Sequence, residues 1–167
     1  MILLRRAGCA PLDGGASVDI FTAVKSVYSK YATFSGRASR AEYWYFFLFT
    51  IIAGAALSAI DATLASAFSI ANFVPNIAVA VRRLHDTNRS GKLIIALIIV
   101  QLILLIVVVG SFVVGLSGAI SGVSDAATGG SIGVLIGVVL FVALAIYWIY
   151  LMAKRGDEGP NRFGNPS

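Results

Sequence analysis

The sequence predicts an all-α membrane protein: a four-helix transmembrane bundle with an N-terminal amphipathic helix and a turn-rich C-terminal tail on the cytoplasmic side. Three observations carry this reading. The 167 residues are 58% hydrophobic and only 13% charged, against roughly 25% charged in a soluble domain. Mean hydropathy is +0.88. Long tracts free of basic residues alternate with short basic segments, as in chains that cross a bilayer repeatedly. The tracts fill most of the chain, which excludes a soluble enzyme and leaves a disordered N-terminal extension over 1–17 and a single membrane domain over 18–167.

The extension reads Met-Ile-Leu-Leu-Arg-Arg, with Arg5 and Arg6 where a signal peptide would need apolar residues. The first hydrophobic span is therefore expected to direct insertion itself. Cys9 and His85 are the single cysteine and histidine. They supply neither an internal disulfide nor a metal site, and no cofactor is expected.

From Val18 to Tyr31, Phe21, Val24, Tyr28 and Tyr31 recur at helical spacing, with Lys25 and Lys30 for the polar side. That pattern fits a helix on the membrane surface or one packed on the ends of the bundle. The next tract, Tyr43 to Val81, holds 39 residues without lysine, arginine or glutamate. As one helix it would reach about 58 Å, nearly twice the bilayer core of about 30 Å. Two helices turning at Asp61 fit: spans over 43–60 and 62–81. Asn72, Pro75 and Asn76 weaken the second and leave a re-entrant piece as the alternative.

The third span, 93–115, is leucine, isoleucine and valine with Gln101 as its one strongly polar side chain. Residues 117–131, rich in glycine, serine and alanine, read as a loop. The fourth span, 132–153, ends on Tyr147, Trp148 and Tyr150, aromatic residues suited to a water interface. Gly133 with Gly137, Ser111 with Gly115, and Gly54 with Ser58 give the small-xxx-small spacing that lets helices approach, within the chain or in a homo-oligomer.

With four spans, all 13 lysines and arginines fall on one side. The telling comparison is between short loops: Arg82 to Lys92 carries four basic residues in 11 positions, and the segment after Gly115 carries none. Both termini are accordingly expected in the cytoplasm. The formal charge of +5 follows from this enrichment and, with no nucleic-acid signature beside it, implies no nucleic-acid partner.

Three polar segments share that side. In Phe34-Ser-Gly-Arg-Ala-Ser-Arg-Ala-Glu-Tyr-Trp44, Arg37 and Arg40 are placed to reach lipid phosphates, Tyr43, Trp44 and Tyr45 lie at the interface, and Glu42 pairs with a cation of the central segment. The central segment packs Arg82, Arg83, His85, Asp86 and Arg89 into eight positions. It reads either as an anion site, with Thr87 and Ser90 as neutral donors, or as a tight turn in which Asp86 caps a helix or pairs with an arginine. The terminal segment, Gly156-Asp-Glu-Gly-Pro-Asn-Arg-Phe-Gly-Asn-Pro166, must fold back as turns. Asn161 and Arg162 are expected to dock on the central segment, so that Glu42, Arg83, Asp86 and Arg162 form one cluster and Asp86→Ala and Arg162→Ala cost similar stability.

In order and wording these three segments resemble the DUF805 family of small bacterial inner-membrane proteins, over roughly Tyr31 to Pro166. The departures are Lys92, where the family usually has tryptophan, Phe163, where tyrosine is frequent, and a longer stretch after Gln101. The resemblance implies a multi-pass protein of the bacterial inner membrane and assigns no activity.

The function expected is non-enzymatic: a cytoplasmic cluster of Arg37, Arg40, Glu42, Arg82, Arg83, His85, Asp86, Arg89, Asn161 and Arg162 that binds anionic phospholipid headgroups or a membrane-protein partner. The alternative is a small oligomeric transporter or channel built on Asp61 and Gln101, the ionisable or polar groups near the spans. An enzyme using His85 and Asp86 is disfavoured, because adjacent helical residues point about 100° apart.

Overall fold

The computed structural model describes residues 19–166, so the extension expected over 1–17, Cys9 and Val18 lie outside the described residues. The described residues contain five helices: α1 (Ile20–Ser29), α2 (Arg40–Ile60), α3 (Ala62–Asp86), α4 (Lys92–Ser121) and α5 (Ser124–Ala153). The last four are long and apolar enough to cross a membrane. They form two hairpins, α2–α3 and α4–α5, each packed along its length, with few contacts between hairpins. Those contacts gather at the basic end, where Tyr43, Phe46, Val79, Leu84, Ile94, Leu151 and Met152 form the buried core.

Asp61 makes the first turn in a single residue. Its amide donates to Leu57 O at 2.8 Å, closing α2. Its carboxylate accepts from the amides of Thr63 and Leu64 at 2.7 and 3.0 Å, opening α3, the usual work of an N-cap. The Leu64 and Thr63 amides hold this carboxyl below its ordinary pKa.

Helix α3 runs unbroken past Pro75. Proline has no amide to give the carbonyl four residues back, here that of Ala71. The Tyr31 hydroxyl donates to that carbonyl instead. Beside it Tyr28 Oη donates to Asn72 Oδ1 at 2.7 Å, and Asn72 and Asn76 turn their amides onto Phe68 O and Asn72 O at 2.9 and 2.8 Å. The α1 region thus packs on the α2–α3 hairpin. Its buried residues are Ala23 and Val27, whereas Phe21, counted in the apolar stripe, is 80% exposed. The small side chains permit the close approach, which the stripe of large ones concealed.

Two expectations are corrected. Residues 82–86 are the last turn of α3 rather than a loop. The helix ends beyond them in a Schellman motif, with Asn88 at φ 55° and the amides of Asn88 and Arg89 donating to His85 O and Leu84 O, each at 3.0 Å. Residues 117–131 are also mostly helical: α4 and α5 are each 30 residues long and turn at Gly122, φ 72°. At about 1.5 Å per residue each reaches about 45 Å, so their ends project beyond a core of about 30 Å or the helices tilt.

Gly115, Gly118 and Gly130 within this stretch are helix-packing surface. A Cβ on Gly130 would strike the Gly115 backbone and lie 2.6 Å from Ser111 O; one on Gly118 would meet the Ala127 amide at 2.5 Å; one on Gly133 would meet Ser111 Oγ at 2.5 Å. Gly54, by contrast, has nothing within 4 Å of such a Cβ. Gly130→Leu is therefore expected to destabilise the α4–α5 hairpin by about 1–3 kcal/mol, the usual cost of overpacking, and Gly54→Leu to leave the melting temperature in detergent unchanged. Equal melting of the two variants would contradict the packing described.

Candidate functional site

The polar segments meet around the carboxylate of Asp86. Oδ1 accepts from Arg37, at 2.8 Å from Nε and 2.7 Å from Nη2. Oδ2 accepts from Arg83 Nη1. All three residues are buried. Removing charges from water at this depth is tolerable only if the remaining donors find partners, and the tail supplies them. Arg37 donates to Gly159 O at 2.7 Å and to Asp157 O. Arg83 donates to Met152 O at 3.0 Å and to Lys154 O, carbonyls that the end of α5 leaves unpaired within the helix. The Asp157 amide closes the arrangement on Asp86 O at 2.8 Å.

Gly156 is necessary to this approach: a Cβ there would lie 2.6 Å from the Asp86 carboxyl carbon. Beyond it the tail makes a tight turn in which Asn161 and Gly164 exchange backbone hydrogen bonds at 3.1 and 3.0 Å. Asn161 Nδ2 donates to His85 O at 2.9 Å. The Phe163 ring stacks on His85, with centroids 3.8 Å apart and planes 3° from parallel, and carries the Arg162 guanidinium 4.7 Å from its centroid. His85 Nδ1 lies 3.1 Å from Gly36 O. A carbonyl only accepts, so this contact fixes the ring proton on Nδ1.

Glu42 and Arg82 form a second, separate pair at 3.2 Å, joined by the Ser26 hydroxyl, which donates to Glu42 at 3.1 Å. The cluster expected from Glu42, Arg83, Asp86 and Arg162 is thus divided. Glu42 belongs with Arg82, and Arg162, exposed, reaches Asn88 O at 2.9 Å rather than Asp86. Arg37, read as a headgroup anchor, is 7% exposed; its donors lie on Asp86 and tail carbonyls, which removes it from the lipid. Arg40 stays exposed, and Arg89 reaches Tyr147 Oη at 3.4 Å. Ser26, Gly156 and Phe163 were missed as parts of the site. The glycine spacing of the tail gave a signal for the second; the others gave none.

The helices and this ionic knot define a polytopic membrane protein whose two hairpins are tied at one end by buried arginines and a folded-back tail. The chain belongs to the family described as protein of unknown function, DUF805, whose model matches residues 31–165. It is 45% identical over 73 residues to the inner membrane protein YhaI of Escherichia coli strain K12, covering 40% of this chain and 62% of the relative. It is 40% identical over 76 residues to the inner membrane protein YhaH of the same strain, covering 39% and 63%. The match therefore spans less than two thirds of either relative. No solved structure matches. The family, relatives named as inner membrane proteins and four apolar helices together make this an integral membrane protein.

Asp86→Ala leaves two buried guanidinium groups uncompensated and is expected to cost about 3–5 kcal/mol, measured by chemical or thermal unfolding in detergent. Gly156→Val is expected to act in the same direction by displacing the carboxylate. Arg162→Ala, at an exposed residue, should lower stability far less. Losses of equal size from Asp86→Ala and Arg162→Ala would restore the undivided cluster.

Proposed function

We propose that this is a non-enzymatic component of a bacterial inner membrane, with the basic end and both termini cytoplasmic, which binds anionic lipid headgroups at the rim of the arginine knot. The observation that carries the reading is the separation of exposed from buried cations. Arg40 borders a surface cavity of about 430 Å³ shared with Trp44, Tyr45 and Ala153, and the exposed Lys154 follows Ala153 in the chain. Cations beside interfacial aromatic rings suit an anionic headgroup layer.

Catalysis by His85 and Asp86 gains no support. Both Asp86 oxygens accept from arginines, and the His85 ring lies against Phe163 with Nδ1 on Gly36 O. Transport through an oligomer gains none from Asp61, whose carboxylate caps α3.

Native mass spectrometry from mild detergent tests the binding. The wild type should retain phosphatidylglycerol in preference to phosphatidylcholine. Arg40→Gln with Lys154→Gln should weaken retention by about fivefold per charge removed. A fully stable wild type that carries no lipid, or that carries a protein subunit in its place, defeats the headgroup reading.

Orientation is tested in intact cells on a Cys9→Ser background. An impermeant maleimide should label Ser124→Cys and spare Asn88→Cys. The opposite pattern would place the basic end outside.

A further inference from the structure

A second polar cavity, about 550 Å³, lies between α1, the loop leading into α2 and the end of the tail. Its lining includes Ser26 from α1, Lys30 at its C-cap, Thr33 and Ser35 from the loop, and Glu42 and Arg82. Arg82 is the anomaly. Its side chain is 1% exposed and its Nη1 pairs with Glu42 at 3.2 Å, but Nε and Nη2 have no hydrogen-bond partner among the described residues. Arg37 and Arg83, a few residues away in space, have these same two atoms on oxygen acceptors.

The two orphaned groups are the side edge of the guanidinium, the planar fork that takes two oxygens of a carboxylate or phosphate at once. A buried arginine left with that edge unpaired is costly unless an acceptor arrives. The surroundings favour an anion. Lys30, Arg37 and Arg82 line the cavity against one carboxylate, Glu42, and two hydroxyls from Thr33 and Ser35 add neutral donors. Ser39, the N-cap of α2, also lines it, which brings the positive end of a helix dipole to the same space.

We propose that this cavity binds a phosphate group, held bidentate by the Nε and Nη2 edge of Arg82 and closed over by Lys30 and the loop hydroxyls. The same chemistry fits the phosphate of a lipid headgroup or a soluble phosphate. The site is distinct from the Arg40 rim and goes beyond the headgroup reading.

The test is thermal melting of the purified full chain in detergent against inorganic phosphate, with chloride at matched ionic strength as reference. Phosphate should raise the melting temperature saturably. Lys30 is exposed at the cavity mouth, so Lys30→Gln should melt normally without phosphate while its half-saturating concentration rises about tenfold, the worth of one hydrogen bond to a charged group. Arg82→Gln should abolish the response, and Lys30→Gln decides the matter if that variant does not fold. A wild type shown by mass spectrometry to be free of phospholipid and without a saturable rise overturns the proposal. So does a response identical in wild type and Lys30→Gln.

Nanodiscs separate the sources. A phosphate response present in phosphatidylcholine and suppressed in phosphatidylglycerol assigns the site to a lipid headgroup; one equal in both assigns it to soluble phosphate. Loss of lipid retention in the Arg40 and Lys154 variant with the phosphate response intact would keep this cavity separate from the rim.

Discussion

The structure depends on one carboxylate. Asp86 holds Arg37 from the loop before α2 and Arg83 from its own helix, and those two guanidinium groups hold carbonyls at and beyond the end of α5. Two cations around one anion would repel if their remaining donors were idle. Here backbone carbonyls surround them, and each carbonyl dipole offsets part of the excess charge. The tail is therefore a component of the ion site, and the ion site gives a glycine-rich tail its fixed conformation.

This mutual dependence matters because a bilayer gives helices no hydrophobic reason to associate, lipid tails being as apolar as leucine. Within each hairpin association has local causes: the one-residue Asp61 turn for α2–α3, and the glycine contacts for α4–α5. Between hairpins the helices touch little along their length. What joins them is at the basic end: Arg83 on the end of α5, the Trp148 indole donating to Tyr43 Oη at 3.0 Å, and the small core of Phe46, Leu84, Ile94, Leu151 and Met152.

The sequence made the spans legible because hydropathy and charge act over some twenty residues, and a local error moves a boundary without removing a helix. It misrepresented 117–131 because glycine and serine signal loops in water, whereas in a membrane helix they form the surface on which another helix packs. Gly118 and Gly130 show this directly. At the site, the three polar segments could be identified but not their pairing. Nothing in the order of residues distinguishes Arg37, held inside, from Arg40, left outside, three positions later. The acceptors that decide it are backbone carbonyls of residues 152–159, which have no side-chain identity to read. Phe163 against His85 was hidden for the same reason: a stacked pair 78 positions apart leaves no spacing signal.

Sorting the cations by the state of their donors gives a sharper guide to function than counting them. Arg37 and Arg83 are closed, with their donors on oxygen atoms of the chain itself; a ligand would have to break those bonds to bind them. Arg40 and Lys154 are open to the interface and can exchange water for phosphate at little cost. Arg82 lies between: it is buried like the first pair, yet the two donors of one edge have no partner among the described residues. A group that exchanges a ligand needs donors free of the fold and held in place by it, and Arg82 meets both conditions through Glu42 and Ser26. The dense basic segment at 82–89 is thus two structures in one, a tie for the hairpins at Arg83 and Asp86 and, one residue earlier, a buried guanidinium with two unpaired donors.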